Sequence, residues 1–426
     1  MKRSIQHVSV IGLFTIVGAG LTFLTQILAA RVLGPREYGI FMAAFTTINI
    51  VSPLTAFGLQ AFWLKVFGRE GWHAMRWIRP TFMFCALSTV ITIAGVAAWA
   101  IVGLGVEDPT AWCLLILSTS LLSVASIEVV TTRFLLEEKP VPLMVWQTLP
   151  QVVRFLVVVG VLLAGQGLDA VTLAWLYALV GGLLVLAGIP NMVALATGRM
   201  GVVGHERPTD PVVLEQPGIL AVASETWAFG LGNLFFLVYF QSSILFISHH
   251  LGPEATATFG VAVTILAALY LLPTTIYQKL MMPRLHRWAF QDRAAFRAAY
   301  RAGNKYMLLL GLAAAVCTAL LAQYLVPLLF GKEYAKAAWV LMWLAPCIPM
   351  RFVATSAGAI LSTGNLMRVK IRIMGLVAVC NLVLNHLLIS RFGMQGAIQA
   401  AIATEALLVG LYCYTAHRSF SKSDPA

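Results

Sequence analysis

Twelve apolar runs, each about 20 residues long and joined by short polar connections, leave this chain few ways to fold. A bilayer core about 30 Å thick is crossed by about 20 helical residues. The runs fall at 8–31, 39–64, 80–104, 111–132, 143–164 and 170–195, and then at 224–249, 257–281, 304–326, 337–362, 371–390 and 397–415. In hydrocarbon every backbone N–H and C=O must be satisfied within its own segment, which selects helices. Composition agrees, with 60 % hydrophobic and 11 % charged residues, where a soluble domain carries about 25 % charge. The first run continues to Ala30, too long for a signal-peptide core of roughly 7–15 residues, and is expected to be a retained span.

A duplicated turn organises these runs. Leu33-Gly34-Pro35 closes the first run and Leu251-Gly252-Pro253 closes the seventh, and the two windows also share Phe41/Phe259 and Ala44/Ala262. Proline fixes φ and glycine reaches backbone conformations closed to other residues, so one such turn is common. Two in matching context predict two six-helix lobes related by an internal repeat. Six spans per half is an even number, so the repeat is parallel, about an axis along the membrane normal. The expected division is a lobe at 1–195, a polar linker at 196–222, a lobe at 223–415 and a tail at 416–426.

Lysine and arginine gather on the cytoplasmic side of membrane proteins. With the N-terminus inside, the outward connections hold only Arg31, Arg36, Lys332, Lys336 and Arg391 of the 29 basic residues, and Arg154 and Arg351 lie within spans. Both termini are therefore expected in the cytoplasm and both Leu-Gly-Pro turns outside. The net charge of +12 then reports topology, not nucleic acid. In the basic loop from Lys279 to Lys305, the four-residue spacing of Arg293, Arg297 and Arg301, with Phe296 and Tyr300 alongside, predicts a short helix lying among lipid headgroups.

Enzyme chemistry finds little footing. The six cysteines stand singly in apolar runs, and no Cys-x-x-Cys, clustered histidines, glycine-rich phosphate loop or nucleophile–base arrangement occurs, so neither metal nor cofactor is expected. A membrane glycosyltransferase or polymerase would need a sizeable loop with an acidic pair; Glu137-Glu138 sits in a short turn before Lys139.

Several stretches resemble the polysaccharide transporters, the Wzx-type flippases of O-antigen and exopolysaccharide repeat units. These belong to a superfamily shared with the multidrug and toxic compound extruders and the lipid II flippases. Leu33-Gly-Pro-Arg-Glu-Tyr-Gly39 is similar to the family's turn after its first helix, and Leu329-Phe-Gly-Lys-Glu-Tyr334 to the turn before its tenth. Asn381-Leu-Val-Leu-Asn385 with Phe392-Gly-Met-Gln-Gly396 resembles its eleventh-to-twelfth helix signature. Two departures stand out: Ala257 where the second turn prefers glycine, and Arg351 within the tenth span. The resemblance implies two lobes around a cavity opened alternately to either face of the bacterial inner membrane. Its substrate would be an undecaprenyl-pyrophosphate-linked oligosaccharide, and its partners membrane lipids, a polysaccharide polymerase and other assembly proteins, with no nucleic acid. A cation-coupled drug extruder of the same architecture remains the alternative.

Moving such a lipid calls for cations, polar groups and aromatic faces within the membrane. Polar and small residues share helical stripes in four spans: Gln26 with Thr15 and Thr22; Asn49 and Gln60 with Ala56 and Trp63; Tyr239 with Glu225 and Phe236; Thr275 and Gln278 with Thr264. Such stripes serve cavities and dry helix packing alike. Arg154, with Gln147 and Gln151 on its face, and Arg351 lie near mid-span, where a charge is costly and faces protein or water. Either they meet the pyrophosphate, or they pair with a carboxylate such as Glu128 or Glu405. Those two and Glu225 are the candidate ion-coupling groups. Pro53 and Pro273, in equivalent spans, are hinge candidates.

Overall fold

A computed structural model describes residues 2–165, 167–206, 215–363 and 366–421; within these, the side chains of 2–13, 228, 278–280, 283, 290 and 421 lie outside the description. Of the expected linker, 207–214 fall outside the described residues, as do 422–426 of the tail. The described residues form helices and no strand. In order these are α1 (Lys2–Val51), α2 (Pro53–Ala56), α3 (Leu59–Glu70), α4 (Ile78–Ala98), α5 (Pro109–Ser118), α6 (Ser120–Leu136), α7 (Pro140–Leu163) and α8 (Ala170–Ala196). They continue as α9 (Ile219–Leu251), α10 (Pro253–Thr275), α11 (Met282–Gln291), α12 (Arg293–Phe330), α13 (Ala335–Leu344), α14 (Cys347–Leu361), α15 (Met367–Phe392) and α16 (Met394–Ser421).

Local chemistry sets many boundaries. Asp108, Asp169 and Asp292 cap α5, α8 and α12 by accepting from the backbone N–H of Thr110, Thr172 and Ala295. Proline opens α5, α7 and α10, where its missing N–H costs nothing. Large apolar side chains such as Leu183, Leu186, Leu320 and Val383 lie on the surface, as a lipid-facing helix requires.

Among the described residues nine helical segments are long and apolar enough to cross a membrane, and a tenth counts if Lys332–Leu344 and Cys347–Leu361, bent by 54°, form one span. The first segment, Phe14–Leu104, is 91 residues long. At 1.5 Å per residue that is several times the thickness of a bilayer core. It breaks at Gly34 (φ 71), at Phe57 and Gly58 (φ 39 and 79) and at Gly71 (φ 58), so it covers the three runs expected between 8 and 104. The fold is that of an all-α polytopic membrane protein.

The duplicated turn is duplicated in conformation as well. Gly34 has φ 71 and ψ 172, and Gly252 has φ 82 and ψ −178, a region open almost only to glycine. A Cβ at Gly34 would meet nothing within 4 Å. Gly34→Ala is therefore expected to cost about 1–3 kcal/mol through the backbone alone. A lowered thermal midpoint with unchanged substrate preference is the expected reading; an unshifted midpoint would show that the bend tolerates a side chain.

The chain divides into two compact units. The first comprises Met1–Thr25 and Ala44–Leu234, the second Gln26–Ala43 and Phe235–Ala426. In the first, Phe62, Trp63 and Phe67 of α3 pack with Ile78 and Cys85 of α4 and Leu195 of α8 into a buried core. Glu137, beyond the end of α6, takes bonds from Arg133 (3.1 Å) and Lys139 (2.7 Å). Burial pushes its carboxyl up, but these cations outweigh burial and hold it below the ordinary carboxylate value. In the second unit the turn segment of α1 is tied down at several points. Arg31 Nε donates to the Leu329 carbonyl at 2.7 Å and Nη2 to that of Leu328, near the open carbonyl end of α12. Tyr334 donates to the Ala30 carbonyl at 2.8 Å. Gly39 lies so close to Pro253 that a Cβ there would fall on its carbonyl.

One expectation is corrected. Arg293, Arg297 and Arg301 do not form a short interfacial helix but open α12, which runs for 38 residues. Asp292 starts that helix and nothing between Arg293 and Val326 interrupts it. Phe296 and Tyr300 meet Phe420 at the end of α16, at 5.7 and 5.3 Å between ring centroids.

Candidate functional site

In the second unit the site grows from the bend between α13 and α14. Arg351, one turn into α14, is 6 % exposed. Its Nη2 donates to Glu405 Oε1 of α16 at 2.5 Å, and its Nη1 donates to the Tyr239 hydroxyl of α9. The guanidinium carbon lies 5.6 Å from the Phe236 ring, 5.0 Å from Tyr239, 5.2 Å from Phe240 and 5.0 Å from Tyr270. A buried charge is tolerated only when paired and bonded. Here the pairing is incomplete, since Arg351 Nε and Glu405 Oε2 are buried without a partner. Beside them lies a small recess lined by Tyr239, Phe240, Ser243, Tyr270, Thr404 and Glu405, among others.

The Asn381 and Asn385 signature explains how α9, α15 and α16 hold together. The two amides lie one turn apart on α15. Ser242 and Ser243 of α9 donate to their oxygens at 2.6 and 3.0 Å, Asn385 donates to Asn381 at 2.8 Å, and Asn381 donates to Thr404 of α16 at 3.2 Å. All five side chains are buried, so the network has little freedom to rearrange.

In the first unit Arg154 of α7 stands alone. Its guanidinium lies 4.9 Å from the Tyr177 ring of α8, its Nε has no partner, and among the described residues it makes no ion pair. Gln151, a turn earlier, turns its amide back onto the carbonyls of Gln147 and Thr148 at 2.8 and 3.0 Å. Gln147 is exposed, and Glu128 of α6 is half-buried with no ion pair among the described residues. Thus the alternative left open by sequence divides: Arg351 pairs with Glu405, whereas Arg154 pairs with neither carboxylate.

The other candidates lie apart. Gln26 is buried in the second unit, accepting from Tyr38 at 3.0 Å. Asn49 and Gln60 are half-buried in the first, where their stripe companions Ala56 and Trp63 belong to the core. Thr275 is half-buried at the end of α10, and the side chain of Gln278 lies outside the described residues. Glu225 meets Lys65 at 2.7 Å with both about half exposed, worth about 0–1 kcal/mol. Sequence reasoning missed Phe240, Tyr270 and Ser242. The i, i+3, i+4 spacing of Phe236, Tyr239 and Phe240 is the one signal that marks a shared aromatic face.

Comparison with known proteins places this geometry in context. A family model described as polysaccharide biosynthesis protein matches residues 4–288. No curated protein sequence matches the chain. Among solved structures, the fold is similar to the lipid II flippase MurJ in an inward closed conformation, with TM-score 0.68 and 12 % identity over 97 % of this chain and 89 % of that one. It is similar to an inward-facing multidrug resistance MATE family transporter of the MOP superfamily, with TM-score 0.69 and 12 % identity over 95 % and 96 %. A MOP superfamily transporter from Pyrococcus furiosus, described as having a binding pocket of reversed polarity, matches with TM-score 0.62 and 12 % identity over 97 % and 95 %. At such identity these likenesses establish the fold.

Proposed function

Because the chain belongs to the polysaccharide biosynthesis protein family, we propose that it is a flippase for surface polysaccharide synthesis. It carries undecaprenyl-pyrophosphate-linked oligosaccharide repeat units from the cytoplasmic to the outer face of a bacterial inner membrane by alternating access, with both termini cytoplasmic. The observation that carries this reading is Arg154, a cation in mid-span with no carboxylate partner among the described residues. A charge held there is costly and marks a path for its opposite. An incoming pyrophosphate displaces no counter-ion from it, and the planar guanidinium offers two parallel donors to phosphate oxygens. The Arg351–Glu405 pair is neutral as a unit, whereas Arg154 has no carboxylate counter-charge among the described residues.

Removal of the gene tests the substrate class. Lipid-linked oligosaccharide should accumulate on the cytoplasmic face while surface polysaccharide disappears. If both are unchanged and sensitivity to cationic dyes rises instead, the cation-coupled exporter takes the flippase's place. Arg154→Gln should lower transport by about ten- to a hundredfold, the worth of one charged hydrogen-bonding interaction, at normal abundance. Arg154→Lys should recover part of it, as a point charge without the planar fork. Loss of folded protein in both variants would make Arg154 structural.

A further inference from the structure

Arg351 fills a site with the chemistry of a cation receptor. An ion pair needs one carboxylate, yet this guanidinium also has four rings at 5.0–5.6 Å, Phe236, Tyr239 and Phe240 of α9 and Tyr270 of α10. Aromatic walls closed by a carboxylate are the groups that recognise guanidinium and alkylammonium ions. The enclosure is larger than its occupant uses. Glu405 keeps one buried oxygen without a partner, and a small adjoining recess is lined by that carboxylate and three of the rings.

We propose that the second unit carries a receptor site for a small organic cation, of the guanidinium or alkylammonium class, and that the chain's own Arg351 occupies it. With Arg351 in place the enclosure is neutral and refuses other cations. With that side chain removed, the rings and Glu405 remain, and an entering cation supplies the counter-charge that keeps the buried carboxylate ionised. Arg351 is thereby a specificity determinant, holding the pocket closed to other cations. The inference concerns binding within the second unit and stands independently of the flippase reading.

The test uses purified full-length protein and methylguanidinium chloride, with sodium chloride at equal ionic strength as the control. The thermal midpoint of Arg351→Ala should climb with the logarithm of methylguanidinium concentration, as ligand linkage requires. Wild-type protein and the Arg351→Ala, Glu405→Gln double variant should stay flat, the first because its site is filled and the second because it lacks the charge. Adding Phe240→Leu to Arg351→Ala should shift the response to higher concentration. A folded Arg351→Ala that responds no more than wild type overturns the proposal. If Arg351→Ala yields no folded protein in sodium chloride, expression and purification with methylguanidinium should restore a monodisperse product; failure to restore it overturns the proposal equally.

Discussion

Glu405→Ala is expected to cost about 3–5 kcal/mol, the penalty for leaving one partner of a buried ion pair uncompensated. Both side chains of the pair are only 7 % exposed. Water therefore offers Arg351 little in place of the lost carboxylate. The four rings soften the loss, since a desolvated cation–π contact is worth about 2 kcal/mol, so the lower end of the range is the better expectation. Replacing both partners by apolar residues of similar size, Arg351→Met with Glu405→Leu, should recover most of the stability, because the desolvation cost of both charges vanishes together. Recovery of monodisperse protein and its thermal midpoint measure both. Equal losses in the single and double variants would mean that packing holds α14 to α16, and that the charge pair contributes nothing specific.

Gly39→Val should be worse, and for a different reason. A Cβ at Gly39 falls on the Pro253 carbonyl, so the strain can be relieved only by moving one backbone away from the other. Overpacking of side chains costs about 1–3 kcal/mol, and backbone displacement in a tied segment exceeds that. No folded protein is the expected result. Gly260→Ala is the matched control: its Cβ would come within 3.0 Å of Met42 Cγ, the middle of a flexible side chain that can swing aside. A Gly39→Val variant as stable as Gly260→Ala would show that the contact between the two turns is loose.

Much of the fold was legible because hydrocarbon is a strict solvent. Runs of membrane length can only become helices, and the two Leu-Gly-Pro copies gave two glycines of nearly equal φ and ψ. The long α12 was missed because four-residue arginine spacing belongs to any helix, whether it lies on a membrane or continues into it. Only the lack of an interruption after Tyr300 told the two apart. The site was less legible. Pairing Arg351 with Glu405 joins positions 54 apart on helices separated in sequence by a third. Glu128 was as plausible a partner for either arginine until the helices were placed. The rings around Arg351 were hidden by number, since a chain with 23 phenylalanines and 11 tyrosines marks no single cage. Trp63 shared a stripe with Gln60 but went to the core, because one helical face can serve packing and polar lining by turns.

The exchange of segments between the compact units has a consequence for how such a protein can be made or inherited. Gln26–Ala43, from the N-terminal half of the chain, belongs to the second unit, while the opening of α9 through Leu234, from the C-terminal half, belongs to the first. A ribosome that has finished the N-terminal half holds a polypeptide whose turn segment still lacks Pro253, Leu328, Leu329 and Tyr334 to rest on. Neither half is a self-sufficient inheritance, and a gene broken at its midpoint would encode two fragments that must find each other in the bilayer before either is complete.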